Sequence, residues 1–156
     1  MNGKEQVFKA SLAWQPMGKK FSYKEYSRFY LVRSEGKADF MATAAPEYFG
    51  SKYHYNPEDM LVVALSACHM LTYLAFAANS KIEVLSYEDD ASGTLAEEGK
   101  VVKFKEVILR PKIKITAASD KNKAAELHDK AHHGCFIANS VNFAVKVEPV
   151  FEVGEK

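Results

Sequence analysis

Residues 56–79 read NPEDMLVVALSACHMLTYLAFAAN, and this stretch decides the fold. Asn56 is a favoured N-cap residue, Pro57 suits the first helical position, and the acidic residues that follow complement the helix dipole. The stretch therefore predicts a helix from about residue 57 to residue 79. Its apolar residues surround the helix axis, so the helix must be covered on most sides. A chain of 156 residues has few other segments with which to bury this helix, so we expect a partner subunit to cover part of it.

The composition is typical of one ordinary globular domain, and we expect a single domain over residues 1–156. Apolar residues make up 47% and charged residues 26%, with 21 basic against 20 acidic side chains. This balance gives no sign of a nucleic-acid partner. The first 14 residues lack the apolar run of a secretory signal, so we expect a cytoplasmic protein. The apolar run from Met60 to Ala78 is about long enough to span a bilayer, but polar residues interrupt it, and we favour a helix buried within protein over a membrane span.

The rest of the sequence alternates strand patterns with one further helix. A second helix should be capped by Ser119 or Asp120 and should end at about residue 133, with Gly134 in the position of a C-terminal cap. The predicted strands and helical segments are a three-stranded antiparallel meander at 5–14, 26–33 and 38–44, a helical turn at 46–50, long strands at 82–96 and 100–116, a helix at 121–133, a helical turn after residue 135, and a final strand at 142–153. This order predicts an α+β fold in which helices pack on antiparallel sheets.

The chain has two cysteines, too few for a disulfide scaffold. Cys68 lies in the middle of the long helix, where a free thiol is often only a small apolar group. Burial raises a thiol pKa, so reactivity at this position requires a nearby cation. Cys135 lies just beyond the second helix, where the backbone is able to rearrange into disulfide geometry. Inert structural cysteines are the alternative at both positions.

The histidines have two open interpretations. His128 and His132 are four residues apart, a spacing that suits a metal on one helix face, and Cys135 is a third candidate ligand. The glutamate of the metalloprotease helix signature is absent, and we favour histidines on a wet helix face over a metal site. His69 adjoins Cys68, but adjacent helical residues point about 100° apart. We therefore expect His69 to be a buried, hydrogen-bonded residue or an interface residue.

Three segments resemble the OsmC/Ohr family of osmotically inducible and organic hydroperoxide resistance proteins. They are NPE at 56–58, SAC at 66–68 and HHGCFIANSV at 132–141. The resemblance implies antiparallel sheets wrapped around long central helices in an intertwined homodimer. It also implies the reduction of organic hydroperoxides, and sometimes of hydrogen peroxide, with no cofactor and no metal. The expected reductant is a dithiol, either a lipoylated protein or a small thiol.

The resemblance assigns roles to four residues of this chain. Cys68 corresponds to the peroxidatic cysteine and Cys135 to the resolving one. Glu58 corresponds to the glutamate that pairs with an arginine near the reactive thiol. The hydroperoxide resistance branch carries this arginine in an early turn that has none here. Arg28 is the favoured replacement, with Arg33 as the poorer candidate.

The spacing of Glu58 and Cys68 raises a geometric question. Ten residues of straight helix rise about 15 Å, so the two side chains of one helix cannot share one arginine directly. Either the chain around Glu58 is not yet helical and folds back, or Glu58 serves Cys68 of the partner subunit.

Three other functions fit the same residues. The first is a non-enzymatic redox sensor or a small-ligand binding protein on the same fold. The second is a metal-binding protein that uses His128, His132 and Cys135. The third is a structural homodimer with inert cysteines.

Overall fold

The computed structural model describes residues 5–155, and residues 1–4 and 156 lie outside this part. The chain divides into two compact units, with the boundary after Met60. The described residues confirm the α+β class, and the single-domain expectation stays a prediction. Their elements are β1 Ser11–Trp14, β2 Tyr30–Arg33, β3 Phe40–Ala42, α1 Pro57–Asn79, β4 Val84–Asp89, β5 Ser92–Glu98, β6 Val101–Leu109, β7 Pro111–Thr116, α2 Lys121–Gly134, β8 Ala144–Val147 and β9 Val150–Gly154, with 3₁₀ turns at Pro46–Tyr48 and Ala138–Ser140.

The predicted long helix is confirmed as α1, and its start is fixed locally. The Asp59 backbone N–H donates to Asn56 Oδ1 at 2.8 Å, and the Asn56 N–H donates to the Asp59 carboxylate at 3.4 Å. This reciprocal pair satisfies two backbone donors at the helix end. By length and composition alone α1 is apolar enough to cross a membrane, a test that core helices of soluble proteins also pass. Its fully buried residues form one stripe at four-residue spacing: Leu65, His69, Tyr73 and Ala77.

The first unit contains the predicted antiparallel meander, in the order β1-β2-β3. Its strands are shorter than predicted, and β2 begins at Tyr30 where the pattern predicted residue 26. Residues 22–26 instead form turns, in which the Glu25 and Tyr26 N–H groups donate to the Ser22 carbonyl. Arg28 therefore lies in the loop before β2, which corrects its predicted place on a strand.

The second unit contains two sheets, with orders β4-β7-β9 and β5-β6-β8. Each of the three long strands predicted at 82–96, 100–116 and 142–153 is in fact two strands, one in each sheet. Proline begins β7 and stands just before β9, and it has no N–H for a ladder. Polar groups fill the breaks: the Arg110 N–H donates to Asp89 Oδ1 at 2.6 Å, and the Arg110 guanidinium lies 3.4 Å from the Glu148 carboxylate.

Both of these sheets are mixed, whereas the sequence predicted antiparallel sheets. Strands β6 and β8 pair in parallel, and so do β7 and β9. Helix α2 lies between β7 and β8 in the chain and supplies the long connection that parallel pairing requires. The prediction of helices packed on sheets is otherwise confirmed.

Helix α2 matches the predicted 121–133 almost to the residue. Asp120 is its N-cap and accepts from the backbone N–H groups of Asn122 and Lys123. Gly134 is the last helical residue, and Cys135 takes the C-cap position. Apolar side chains of α2 join α1 and β7 in one core cluster, whose buried members are Tyr73, Ala77, Ile82, Ile113, Ile115, Ala124, Leu127 and Ala131.

Candidate functional site

The second unit brings the two cysteines together. Both thiols are free, and the Cys68 side chain lies close enough to Cys135 to act on its pKa. Cys68 is half-buried on α1, while Cys135 is fully buried at the C-cap of α2. Burial, followed by the proximity of Cys68, raises the pKa of Cys135 to about 11. Cys135 is therefore protonated at neutral pH, and Cys68 is the thiol that a solute reaches first.

A glycine allows the end of α2 to approach α1. A Cβ atom at Gly134 would lie 3.2 Å from Thr72 Cγ2 and 3.4 Å from Phe76 Cε2. Thr72 stands one turn after Cys68, and its hydroxyl donates to the Cys68 carbonyl at 2.8 Å. The absence of a side chain at residue 134 thus lets the following cysteine lie close to the helix that carries Cys68.

Two buried histidines join α1 to α2. His69 Nε2 and His128 Nδ1 are 2.9 Å apart, and the two rings are nearly parallel at 8°. Burial lowers the pKa of His69 to about 4, with His132 adding to the effect and Asp89 opposing it. Burial, followed by the proximity of His69, lowers the pKa of His128 to about 3. Both rings are thus neutral near pH 7, as the expectation of a buried, hydrogen-bonded His69 requires.

The proposed set of metal ligands does not assemble. Within residues 5–155, no group of three or more His, Cys, Asp or Glu side chains converges to hold a metal ion. His128 hydrogen-bonds His69, and Cys135 Sγ accepts from the Ala138 N–H at 3.4 Å. The geometry therefore does not support the hypothesis of a site made by His128, His132 and Cys135.

Arg28 belongs to the first unit and is only 8% exposed. Its Nε donates to the Tyr48 carbonyl at 3.1 Å, and its terminal nitrogens donate to the Tyr26 and Tyr23 carbonyls at 2.8 and 2.6 Å. The guanidinium carbon lies 3.4 Å from the centre of the Tyr26 ring. A guanidinium has five N–H donors, so two of them remain for other partners.

Arg28 and Glu58 line one cavity of about 510 Å³ in the first unit. They form no ion pair there, and Glu58 Oε2 is buried without a hydrogen-bond partner. Thr43 Oγ1, on the same cavity, is also buried and unpaired. Burial and then the Glu58 carboxylate raise the pKa of Tyr30, another lining residue. The remaining lining is largely apolar and aromatic: Leu12, Trp14, Tyr26, Ser27, Ala44, Ala45, Tyr48 and Pro57.

Sequence reasoning found only part of this lining. Arg28 and Glu58 were predicted site residues and both line the cavity. Trp14, Tyr30 and Thr43 were missed. Trp14 and Tyr30 are cross-strand partners in the meander, so the pairing of two aromatic strands was the available signal.

Glu58 lies in the first turn of α1. The alternative in which the chain around Glu58 is not helical is therefore wrong. The other alternative, in which Glu58 serves Cys68 of the partner subunit, stays a prediction.

A thiol pair where two helices meet, packed with mixed sheets, defines a thiol-bearing α+β protein. A family model described as OsmC-like protein matches residues 50–150, and the chain belongs to this family. The resemblance inferred from the sequence motifs is thereby confirmed.

Solved structures share the fold. An OsmC-like protein of unknown function from Vibrio cholerae O1 is 31% identical with a TM-score of 0.88, over 94% of this chain and 100% of that one. An organic hydroperoxide resistance protein from Elizabethkingia anophelis, solved with thiocyanate bound, is 19% identical with a TM-score of 0.71, over 97% of this chain and 99% of that one. The second likeness, at its low identity, concerns the fold alone.

A curated relative is similar over a shorter stretch. The protein YmaD of Bacillus subtilis (strain 168), described as uncharacterized, is 24% identical over 96 residues. The match covers 60% of this chain and 64% of that protein, so the chain spans slightly less than two-thirds of the relative's length.

Proposed function

We propose that the protein is a thiol-dependent peroxidase that reduces organic hydroperoxides through Cys68 and Cys135. The observation that carries the proposal is the proximity of the two free thiols, through which Cys68 raises the pKa of Cys135. Two neighbouring cysteines on different elements are suited to a disulfide that forms and breaks, because neither is locked in a bond at rest. Family membership and the fold shared with organic hydroperoxide resistance proteins add support.

The first step is attack by the Cys68 thiolate on the terminal oxygen of ROOH. The O–O bond breaks, its electron pair leaves with the RO group, and protonation releases ROH. Sulfur is oxidised to sulfenic acid and the peroxide is reduced to alcohol. The greater exposure of Cys68 relative to Cys135 favours it as the attacking thiol.

In the second step the Cys135 sulfur displaces hydroxide from the Cys68 sulfenic acid. An S–S bond forms, and the Cys135 proton and the hydroxide leave as water. Cys135 starts from the protonated form that its raised pKa maintains, so it does not compete for peroxide. A dithiol, either a lipoylated protein or a small thiol, then reduces the disulfide by exchange.

Arg28 and Glu58 are proposed to assist the first step. A guanidinium favours a nearby thiolate and stabilises the developing oxyanion. Arg28 retains free N–H donors beyond its three hydrogen bonds, and Glu58 lines the same cavity with an unpaired oxygen. The assignment of Cys68 as their target rests on the family resemblance. In a homodimer, that target is Cys68 of the partner subunit.

The cavity of the first unit favours an organic substrate over hydrogen peroxide. Its walls are mostly aromatic and aliphatic, which suits the R group of an alkyl or aryl hydroperoxide. We propose that the reaction takes place in the cytoplasm, where thiol reductants are available.

The test is catalytic consumption of excess cumene hydroperoxide with dihydrolipoamide as reductant. The wild-type chain should turn over many times, and Cys68→Ser should lose activity by at least about a thousandfold, because the nucleophile is gone. Cys135→Ser should complete one oxidation and then accumulate oxidised Cys68, seen by mass spectrometry. A wild-type chain that binds peroxide or becomes oxidised once without turnover would indicate a sensor or a ligand-binding protein.

A matched arginine pair tests the proposed cation. Arg28→Lys should lower the rate at neutral pH by about tenfold or more, because lysine cannot keep the planar set of hydrogen bonds. Arg33→Lys is the control, since Arg33 is exposed and pairs only with Asp39 at 3.1 Å. Equal rates for the two variants would remove Arg28 from the mechanism. Circular dichroism should accompany the rates, because Arg28 also holds the loop before β2.

A further inference from the structure

We propose that the hydrogen bond between His69 and His128 is a positioning device that holds Cys135 against Cys68. The two histidines thereby set how readily the two thiols form a disulfide. The inference deepens the proposed function, since it concerns the same two thiols, but its test requires no peroxide.

The placement of the two histidines ties one thiol to the other. His69 directly follows Cys68 on α1, and His128 lies seven residues before Cys135, about two helical turns along α2. Their rings are 1% and 4% exposed and joined at 2.9 Å. Among the hydrogen bonds of residues 5–155, this is the one that joins a side chain of α1 to a side chain of α2.

The other contacts between these helices are aromatic or apolar. Tyr73 of α1 stacks on the His128 ring with the centroids 4.2 Å apart, and the remaining apolar contacts carry little directional information. The core cluster includes Ala77 of α1 and Ala124, Leu127 and Ala131 of α2. Small aliphatic surfaces tolerate sliding, because burial depends on area and not on direction. A shift of α2 by one residue would leave both buried imidazoles unpaired, and a buried polar group without a partner carries its full desolvation penalty.

The histidine cluster is poorly suited to stability alone. His128 Nε2 and His132 Nδ1 are buried without hydrogen-bond partners. A well-packed apolar pair would avoid these desolvation costs. Fixing the register of α2 on α1 is therefore the role that accounts for a polar pair at this place.

Disulfide formation is sensitive to such a register. The two Cβ atoms must come within about 3.5–4.5 Å with a defined dihedral angle. Gly134 brings the end of α2 near Thr72, and the histidine pair two turns earlier fixes its position along α1. Together these two contacts hold Cys135 close enough to Cys68 for a disulfide to form.

The experiment is a redox titration of the full chain against mixtures of reduced and oxidised glutathione. It measures the effective concentration of one thiol for the other. His69→Leu should lower this value about tenfold, about 30 mV for a two-electron couple. His69→Gln places an amide nitrogen near the position of Nε2, and its value should remain within about threefold of wild type.

Val107→Ala is the control for general destabilisation. Val107 is buried in the second core cluster, which contains neither histidine, so its truncation weakens the fold and leaves the pair in place. It should leave the effective concentration unchanged. If His69→Leu and Val107→Ala shift the titration equally, or if His69→Leu matches wild type, the positioning role is wrong. If His69→Leu does not fold, His69→Leu/His128→Leu, which leaves no unpaired ring, should show the same tenfold decrease.

The outcome separates this inference from the peroxidase. A wild-type chain that consumes no peroxide but gives these shifts overturns the proposed function and supports the positioning role. Normal peroxide turnover with identical titrations across all variants supports the peroxidase and overturns the positioning role.

Discussion

Among single residues, the side chains whose pKa values are shifted most lie in the core of the second unit. His69 and His128 are buried and neutral, and Cys135 is buried and protonated. In each case burial is the largest cause, because a charged form loses its hydration. The sequence suggested a buried His69 but could not identify its partner, since His128 follows 59 residues later in the chain.

The histidine pair predicts a specific loss of stability in acid. Folded pKa values of about 4 and 3 lie below the ordinary 6.5 that both rings regain on unfolding. Below pH 6.5 the unfolded chain binds protons that the folded chain excludes. The free energy of unfolding is therefore not reduced by these rings above about pH 6.5. As the pH falls toward 4, it decreases by up to about 1.4 kcal/mol per pH unit for each ring.

Urea unfolding between pH 7 and pH 4.5 measures this slope. The His69→Gln/His128→Asn variant should show a shallower decrease than wild type, because it has lost both titrating rings. His132 and Asp89, which also act on His69, remain in both proteins. Parallel curves for wild type and variant would mean that the buried pair does not carry the acid sensitivity.

At the element scale, the decisive contact is the approach of the end of α2 to α1. Gly134 faces Thr72 Cγ2 and Phe76 Cε2. A Cβ atom at residue 134 would lie only 3.2 Å from Thr72 Cγ2. Sequence patterning predicted Gly134 as a helix terminator, whereas the structure uses it for close packing as the last helical residue. A propensity argument could not distinguish these roles, since both need the absence of a side chain.

This contact predicts coupling between two small substitutions. Gly134→Ala should destabilise the wild-type chain by about 1–3 kcal/mol, because the new methyl group crowds Thr72 Cγ2. A Thr72→Ser background removes Thr72 Cγ2 but keeps the hydroxyl that donates to the Cys68 carbonyl. There Gly134→Ala should be neutral or stabilising, as alanine favours the helix. Chemical denaturation of all four proteins gives the cycle, and identical effects in both backgrounds would refute the close-packing role.

At the scale of the whole molecule, one face of α1 is left uncovered in the single chain. Val63 is 51% and Leu71 is 62% exposed, on a helix whose residues are mostly apolar. The sequence predicted that this helix needs cover on most sides, and each chain buries only one stripe of it. We propose that a second copy of the chain covers the remainder, as the family resemblance implies.

The proposed homodimer is tested by light scattering after gel filtration. Wild type should elute as a dimer, and Leu71→Glu should shift it toward monomer by at least about tenfold in the dissociation constant, because a charge cannot be buried unpaired. Val150→Glu is the matched control, a 58% exposed apolar residue on β9. A wild-type monomer, or a Leu71→Glu dimer as stable as wild type, would contradict this interface.

Local signals in the sequence determined the elements. The Asn56 cap, the apolar run of α1, the Asp120 cap and the strand patterns of the meander each act over a few residues, so the sequence alone specified both helices and the first sheet. The motifs around both cysteines also identified the family.

Only the tertiary structure decided how distant segments meet. The strand breaks depend on Asp89, Arg110 and Glu148 coming together. The parallel pairing of β8 with β6 and of β9 with β7 depends on the crossover through α2. The proximity of the two thiols and the bond between His69 and His128 likewise join residues about 60 positions apart. Such contacts arise from the packing of complete elements, and no local pattern of residues encodes them.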